Sequence, residues 1–146
     1  MDNPSSDFSW PVRVYYEDTD TGGVVFYANY LKFFERARTE WLRTHGIGQQ
    51  LLAEKHHVMF VVRSTAVDYH APAKLDDELK LTVVVERLGR ASVEFAQEAW
   101  RMNGAEKKLL TKGKIRVGCV HTESFRPMPI PDEVLGRIYK SNSGRA

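Results

Sequence analysis

Residues 27–44 read YANYLKFFERARTEWLRT, and the apolar side chains of this stretch recur with the period of an α-helix. They fall at i, i+3, i+4, i+7 and i+11 on one helix face: Tyr30, Phe33, Phe34, Ala37 and Trp41. Asn29 is a candidate cap at the start, and Gly46 can take the left-handed conformation that ends a helix. Charged side chains occupy the rest of the helix surface: Lys32, Glu35, Arg36, Arg38, Glu40 and Arg43. The wide aromatic stripe predicts that other elements cover one side of the helix.

Segments on both sides of this helix alternate between apolar and polar residues, as β-strands do. Val12, Val14 and Tyr16 share one face of a predicted strand at residues 10–16. A short second helix is predicted at 48–56, and four strands follow near residues 59–71, 79–86, 93–99 and 109–119. Asn103-Gly104 predicts a tight hairpin. This order predicts an α+β fold, a five-stranded antiparallel sheet wrapped around one long central helix.

The composition is typical of one globular domain. The chain has 146 residues, of which 42% are hydrophobic and 27% charged, too apolar and aromatic for a disordered chain. Cys119 has no partner for a disulfide, and a net charge of +2 argues against nucleic-acid binding. We expect one domain at residues 10–138, with flexible termini at 1–9 and 139–146. No signal peptide and no apolar run of about 20 residues is present, so a cytoplasmic location and no transmembrane segment are expected.

The turn before the long helix carries the strongest chemical signal. Residues 17–23 read EDTDTGG, so that carboxylates precede the free N–H groups and positive dipole end of a helix. A carboxylate with such donors can attack a carbonyl and hold the developing oxyanion. Alternatively, Asp18 and Asp20 only cap the helix. A calcium-binding loop is excluded because no glutamate stands at position twelve of a carboxylate series.

Three stretches together resemble a known family. Residues 13–25 read RVYYEDTDTGGVV, residues 34–38 read FERAR, and residues 69–79 read YHAPAKLDDEL. They resemble the hotdog-fold acyl-CoA thioesterases, and most closely the Tol–Pal-associated, YbgC-type branch of the 4-hydroxybenzoyl-CoA thioesterase family. The likeness extends over about residues 10–129. It implies a hotdog fold and hydrolysis of acyl-CoA to a free carboxylic acid and coenzyme A.

The resemblance also implies roles for residues of the acidic turn. The family's catalytic carboxylate falls on Asp20, and its oxyanion donor falls on the backbone N–H of Tyr27. Gly22, Gly23 and Val25 are then expected against the substrate. Many YbgC-type relatives have histidine at the position of Tyr27. Any catalytic role of that imidazole in the relatives is therefore absent in this chain or performed by another group. Asp20 could act as nucleophile or as general base.

Hydrolysis of a thioester requires few catalytic groups. Thiols have a pKa of about 8.5, so little proton donation is needed when the thiolate leaves. One carboxylate and one oxyanion hole then suffice, and the chain contains no Gly-x-Ser-x-Gly elbow of an α/β-hydrolase. No metal and no bound cofactor are expected.

Recognition of coenzyme A requires cations near its phosphates. The resemblance places these at the turn between the third and fourth strands and on the last strand, which selects Arg87, Arg90, Ser92 and Arg116. The alternative is a solvated basic turn. The expected partners are the acyl-CoA substrate, acyl carrier protein, and further copies of the chain in a homodimer or a homotetramer with an intersubunit site.

Other residues are weaker candidates. Glu35 matches the helix carboxylate of a sister branch, but ion pairing with a neighbouring arginine is the plainer expectation, and Asp18 is expected to support the turn. Paired histidines without further ligands favour surface roles over a metal site, and Cys119 is expected in the core. These histidines are His56 and His57, with His70 and His121 at strand ends.

Two alternative functions are weighed against hydrolysis, and each has a residue that discriminates it. A hotdog dehydratase needs a histidine at the helix entry, and none precedes His45. A non-catalytic adaptor that binds acyl thioesters or acyl carrier protein in envelope or phospholipid biogenesis would be favoured by loss of the carboxylate, but Asp20 is present.

Overall fold

The computed structural model describes residues 8–143, and side chains as far as Tyr139. These described residues contain three helices: α1 (Asn29–Thr44), α2 (Gln49–His56) and α3 (Asp132–Ser143). The strands are β1 (Ser9–Arg13), β2 (Val58–Tyr69), β3 (Glu78–Thr82), β4 (Val84–Leu88), β5 (Ser92–Asn103) and β6 (Glu106–His121). A single turn of 3-10 helix covers Tyr16–Asp18.

The strands form one antiparallel sheet in the order β1-β3-β5-β6-β2, with β4 also paired to β5. The predicted strand at 79–86 is interrupted at Val83, so β3 and β4 follow one another along β5. Six segments therefore occupy the five predicted strand positions. Gly104 has a φ of +64° in the predicted β5–β6 hairpin. The predicted α+β hotdog architecture is confirmed.

Helix α1 packs against the inner face of the sheet through its predicted stripe, every member of which is buried. The Trp41 and Phe95 rings meet edge to face with centroids 5.6 Å apart. A β-carbon on Gly113 would lie 3.0 Å from the Phe34 ring, so the strand must present glycine where the helix approaches most closely. Gly46, with φ +75°, donates to the Arg43 carbonyl and ends the helix as predicted.

Three local predictions are wrong. Residue Tyr16 lies in the 3-10 turn and is largely exposed, because the strand ends at Arg13. Asn29 does not cap α1, because Ala28 occupies the cap position and Asn29 is the first helical residue. Arg38, assigned by its spacing to the polar face, is only 8% exposed.

Helix α3 was not predicted. Ile130, Val134 and Ile138 are buried at helical spacing, and Asp132 and Glu133 favour the first turn of a helix. This spacing was a usable signal in the sequence. The predicted domain end at residue 138 falls within α3, which continues to Ser143. Residues 1–7 and 144–146 of the predicted flexible termini lie outside the described residues.

Strand β2 forms one edge of the sheet. Among the described strands it pairs with β6 alone, on one side and over nearly its whole length. Val62 on this strand is half exposed. A long edge strand with apolar side chains is available for pairing with another chain.

Candidate functional site

The acidic turn is a small hydrogen-bonded hairpin placed directly before α1. Thr19 forms an isolated bridge with Val25, and the Asp20 amide donates to the Val24 carbonyl at 2.9 Å. Gly23, with φ +79°, donates to the Asp20 carbonyl at 3.0 Å and needs the left-handed freedom of glycine. Asp18 supports the turn as predicted, since its carboxylate accepts from the Tyr15 amide at 2.8 Å.

The Asp20 carboxylate is exposed and held by one hydrogen bond. Its Oδ1 accepts from the Gly22 amide at 2.8 Å. A β-carbon on Gly22 would lie 3.2 Å from this oxygen, so a side chain there would crowd the carboxylate. Among the described residues nothing donates to Oδ2, which leaves that oxygen available to a water or a substrate.

A second connection ties the turn to the helix start. The Asp18 carbonyl accepts from the Phe26 amide at 3.2 Å and from Asn29 Nδ2 at 2.8 Å. Asn29 therefore joins the first turn of α1 to the hairpin that carries Asp20. The sequence contained no periodic signal for this role, because the contact depends on how the chain folds back.

The helix start presents unused donors. In the described part of the chain, the amides of Tyr27 and Ala28 donate to no acceptor. They lie at the positive end of α1, where negative charge is stabilised. The arrangement therefore combines an exposed carboxylate with free N–H groups, which is the combination needed to attack a carbonyl and hold an oxyanion.

Aromatic side chains border these donors. The Tyr27 ring is 62% exposed and lies 4.7 Å from the Phe26 ring and 6.1 Å from the Tyr69 ring. Tyr69 Oη donates to the Tyr27 carbonyl at 3.2 Å. Burial, with smaller effects of Tyr27 and Tyr30, raises the pKa of the Tyr69 hydroxyl, so this group stays a neutral donor. Sequence reasoning missed Tyr69, because the end of a strand gives no signal of a contact with a distant turn.

The structure brings Asp20, Gly22, Gly23 and Tyr27 into one hairpin–helix junction. Val25 is different, because its side chain is buried in the core and its amide donates to the Ala73 carbonyl at 2.8 Å. That hydrogen bond anchors the hairpin. The assignment of Val25 to the substrate contact stays a prediction.

The candidate phosphate-binding residues lie around the β4–β5 turn and on β6. Arg87 is paired with Glu94 at 3.9 Å, and Arg116 is opposite Glu94 in the register of β5 and β6. Arg90 is exposed and has no carboxylate within ion-pair distance among the described residues. The carbonyl of Ser92 accepts from the Gly89 amide at 2.8 Å and closes the turn.

A cavity of about 1010 Å³, lined by both apolar and charged side chains, lies between α1, α2 and β2, towards the C-terminal half of α1. Arg38 lines it and donates to Gln97 Oε1 at 2.9 Å, while Gln97 Nε2 donates to the Phe34 carbonyl. Burial lowers the pKa of Arg38 to about 10, against the opposing effect of Glu35. Glu35 is exposed, and the predicted ion pair with an arginine does not form within 4 Å in the described structure.

The remaining candidates have local roles. His121 Nδ1 accepts from the amides of Glu123 and Ser124, and His56 lies 3.5 Å from Glu133. Cys119 is buried as predicted, and burial raises the pKa of its thiol to about 11. Over residues 8–143, no group of three potential metal ligands occurs, and no helix is long and apolar enough to cross a membrane.

Comparisons with known proteins agree with this geometry. Residues 22–108 match the model of the thioesterase superfamily. Acyl-CoA thioesterase YbgC of Haemophilus influenzae is 47% identical over 132 residues, which cover 90% of this chain and 94% of that protein. A probable thioesterase from Bartonella henselae, 33% identical, superimposes with a TM-score of 0.77 over 85% of this chain and 98% of that one.

One further structure supports the fold alone. 4-Hydroxybenzoyl-CoA thioesterase complexed with 4-hydroxybenzoyl-CoA is 16% identical and has a TM-score of 0.84, covering 90% of this chain and 97% of that chain.

Proposed function

Because this chain belongs to the thioesterase superfamily and, within it, to the YbgC acyl-CoA thioesterases, we propose that it hydrolyses acyl-CoA through Asp20 and the amide of Tyr27. The observation that carries this proposal is the junction itself. An exposed carboxylate, held by the Gly22 amide, is tied through Asn29 to a helix start whose N–H groups donate to no acceptor among residues 8–143.

The reaction needs two events at the thioester carbon. In the general-base route, Asp20 removes a proton from water, whose oxygen adds to the carbonyl carbon while the Tyr27 amide donates to the developing oxyanion. The tetrahedral intermediate collapses, the C–S bond breaks, and the thiolate of coenzyme A leaves with the electron pair. Because this thiolate is a good leaving group at neutral pH, a separate strong acid is not needed.

The nucleophilic route uses the same groups. The Asp20 carboxylate adds to the carbonyl carbon and expels the thiolate, which leaves a mixed anhydride that water then cleaves. Solvent oxygen enters the Asp20 carboxylate only if water attacks the aspartyl carbonyl. Single-turnover hydrolysis in ¹⁸O-water, with mass analysis of the protein, tests that pathway.

The acyl group is placed in the cavity beside α1. Leu31, Glu35, Arg38 and Leu42 follow one another at i, i+4, i+7 and i+11, so one helix face leads from the free amides towards the cavity. Arg38 stands ten residues after Ala28, about 15 Å along the helix axis. A panel of acyl-CoA substrates of increasing chain length tests this placement.

A complete site requires a second subunit in this proposal. Tyr69 is level with Thr111 of β6, whereas Ser92 is level with Gly118, seven residues or about 23 Å along the sheet. The Asp20 turn and the β4–β5 turn therefore lie towards opposite ends of one chain. Two-fold antiparallel pairing of β2 edges brings the Asp20 end of one chain beside the β4–β5 turn of its partner.

In this proposal the coenzyme A portion of the substrate binds at the β4–β5 turn. Arg87, Arg90, Ser92 and Arg116 provide charge and hydrogen bonds for the phosphates of coenzyme A. Acyl carrier protein thioesters as additional substrates, a Tol–Pal association, a dimer of dimers and a cytoplasmic location are parts of the same proposal, as is the absence of a bound metal or cofactor.

The decisive experiment compares two carboxylates of one turn. Asp20→Asn is expected to lower kcat for acyl-CoA by at least roughly 10²-fold, since an acid–base group is removed. Glu17→Gln, in the adjacent 3-10 turn, is the matched control and should retain activity. Thiol release measures both. Activity of Asp20→Asn within a few-fold of the parent would contradict the assignment, and no hydrolysis by the parent of any acyl-CoA would favour the adaptor function.

A further inference from the structure

The hydroxyl of Tyr69, at the end of β2, contacts the backbone at the start of α1. Its Oη donates to the Tyr27 carbonyl at 3.2 Å, across 42 positions of the sequence. This carbonyl belongs to the peptide group whose N–H is the amide of Ala28. In the described part of the chain that amide donates to no acceptor. The tyrosine therefore holds one side of a peptide group whose other side is a candidate oxyanion donor.

The Tyr27 carbonyl lacks the partner that a regular helix would give it. In an α-helix the Leu31 amide would donate to this oxygen, but here the Leu31 amide donates to the Ala28 carbonyl at 3.2 Å. The Tyr30 amide reaches the Tyr27 carbonyl at 3.3 Å, in the tighter 3-10 pattern. The Tyr69 hydroxyl supplies the second hydrogen bond. Its contribution to the position of this peptide is therefore larger than it would be within a regular helix.

The geometry of the peptide group transmits this contact to the amide. A trans peptide is planar, with its C=O and N–H directed to opposite sides, so a fixed carbonyl direction fixes the direction of the N–H. Ala28 has φ −67° and ψ −21°, which are helical values, so its N–H is directed out of the N-terminal end of α1. A hydrogen bond accepted by the carbonyl also polarises the peptide and makes the N–H a stronger donor.

Tyr69 is itself held in place. The amide of the next residue, His70, donates to the Leu110 carbonyl at 2.7 Å, which fixes the end of β2. The Tyr69 ring lies between two other rings, with centroids 6.1 Å from that of Tyr27 and 5.6 Å from that of Tyr30. Burial, with smaller effects of Tyr27 and Tyr30, raises the pKa of the Tyr69 hydroxyl, so the hydroxyl keeps its proton and donates.

The chain that follows Tyr69 also holds the carboxylate side of the site. The Ala73 carbonyl accepts from the Val25 amide at 2.8 Å, which anchors the hairpin that carries Asp20. The Ala73 amide donates to Tyr30 Oη at 3.1 Å within the core. The Tyr30 hydroxyl thus satisfies a buried amide, whereas the Tyr69 hydroxyl contacts the peptide at the helix start. Removal of either hydroxyl should have a different consequence.

We propose that Tyr69 is a positioning residue of the oxyanion site, which orients the Tyr27–Ala28 peptide so that the Ala28 amide donates to the oxyanion together with the Tyr27 amide. The inference rests on the proposed function, which places the thioester carbonyl at this helix start. It adds a second donor to the site and a residue of β2 that acts through that donor. Because the oxyanion develops only in the transition state, Tyr69 affects kcat and leaves KM nearly unchanged.

The first experiment removes the hydroxyl and keeps the ring. Tyr69→Phe is expected to lower kcat for acyl-CoA about tenfold, less than the roughly 10²–10³-fold loss that follows removal of an oxyanion donor itself. KM should change by less than about twofold. Replacement of Tyr69 by 4-aminophenylalanine, which has a donor at the same end of the ring, should restore most of kcat. Tyr15→Phe, which removes an exposed hydroxyl, is the matched control with unchanged kcat. A kcat of Tyr69→Phe within twofold of the parent would overturn the proposal.

Tyr30→Phe separates positioning from support of the fold. It leaves the Ala73 amide without its acceptor, so the urea midpoint should fall. The urea midpoint of Tyr69→Phe should stay near that of the parent, because the Tyr27 carbonyl keeps the Tyr30 amide as a donor. If Tyr69→Phe lowers the midpoint as much as Tyr30→Phe does, Tyr69 acts through stability and the positioning role is refuted.

The role of the Ala28 amide is tested by removing its N–H. Replacement of Ala28 by lactic acid converts the amide into an ester and keeps the methyl side chain. We expect kcat to fall by roughly 10²-fold or more, as for loss of an oxyanion donor. Tyr69→Phe should then cause little further loss, because it acts through the N–H that is already missing. Losses that multiply independently would show that Tyr69 does not act through this amide.

A spectroscopic measurement is independent of catalysis. The ¹⁵N shift of an amide depends on the hydrogen bond accepted by the preceding carbonyl, so Tyr69→Phe should shift the Ala28 resonance and Tyr15→Phe should not. An unchanged Ala28 resonance in an active protein overturns the role of Tyr69 and leaves the proposed function standing. A parent that hydrolyses no acyl-CoA contradicts the proposed function, and the shift then still reports whether Tyr69 holds this peptide.

Discussion

Replacing Asn29 by alanine tests whether the junction between turn and helix is a catalytic device. The substitution removes the 2.8 Å hydrogen bond from Asn29 Nδ2 to the Asp18 carbonyl. That carbonyl keeps its second donor, the Phe26 amide at 3.2 Å, so no acceptor is left without a partner. We therefore expect the ordinary net loss for one hydrogen bond, about 1 kcal/mol.

The stability of the fold should change little. Alanine has a higher helix propensity than asparagine, by roughly 0.6 kcal/mol, and residue 29 is the first helical position. The gain offsets most of the hydrogen-bond loss, and the net change in the free energy of unfolding should be within about 0.5 kcal/mol. In contrast, the substitution removes one of the hydrogen bonds that fix the Asp20 hairpin relative to the Tyr27 amide.

Asn29→Ala should therefore lower kcat with little change in the free energy of unfolding. If the lost bond contributes about 1 kcal/mol to positioning in the transition state, kcat falls about fivefold. KM should stay nearly constant, because the nucleotide contacts are remote from this junction. Initial rates of thiol release give both constants, and urea unfolding gives the stability. Lys32→Ala, an exposed change on the same helix, is the matched control.

The result that would refute this reasoning is a kcat within twofold of the parent, with unchanged stability. It would mean that the hairpin keeps its position without Asn29. A parallel loss of stability and kcat would show only that the helix had been disrupted.

Three further predictions concern assembly, packing and pH. The parent should sediment as a dimer or tetramer, and Val62→Lys on the β2 edge should shift it towards monomer; a parent that sediments at 16.7 kDa at micromolar concentration contradicts this. The Thr111 hydroxyl is buried and has no hydrogen-bond partner among the described residues, so Thr111→Val should stabilise the fold by about 1 kcal/mol in urea unfolding, and a loss would show an overlooked role. The hydrogen bond and charge of Lys55, assisted by His56, lower the pKa of Glu133 in the folded state. The Glu133 carboxylate therefore stabilises the fold at a pH above its unfolded-state pKa, and this stabilisation is lost as the pH falls through the lowered folded-state pKa. The Tm difference between the parent and Glu133→Gln should vanish at that low pH, and a constant difference would contradict the linkage.

The main elements of the fold follow from local pattern. The stripe from Tyr30 to Trp41 and the alternation along β5 and β6 are visible in the sequence, because burial of one face imposes the period of each element. The acidic turn was recognisable for a similar reason, since its carboxylates, its glycines and the helix that follows are adjacent in the chain. Family resemblance then assigned Asp20 and Tyr27 their roles.

Contacts between distant residues decided the rest. The alternation of Leu79, Leu81 and Val83 continues through the break between β3 and β4, so the pattern alone shows no interruption. Arg38 looked like a surface residue because the acceptor that permits its burial, Gln97, lies 59 positions away. Spacing reports only neighbours within an element, and the cost of burying a charge depends on partners supplied by other elements.

The sequence by itself determined that one long amphipathic helix lies on an antiparallel sheet, and that a carboxylate precedes its first turn. Only the tertiary structure decided which donors and charges remain available. Within the described part of the chain, the amides of Tyr27 and Ala28 donate to no acceptor because the turn directs its own hydrogen bonds elsewhere. Over the same residues Arg87 is paired whereas Arg90 is not, because Glu94 faces only one of them. Availability depends on what surrounds a group in three dimensions, and that information is distributed over strands and helices far apart in the chain.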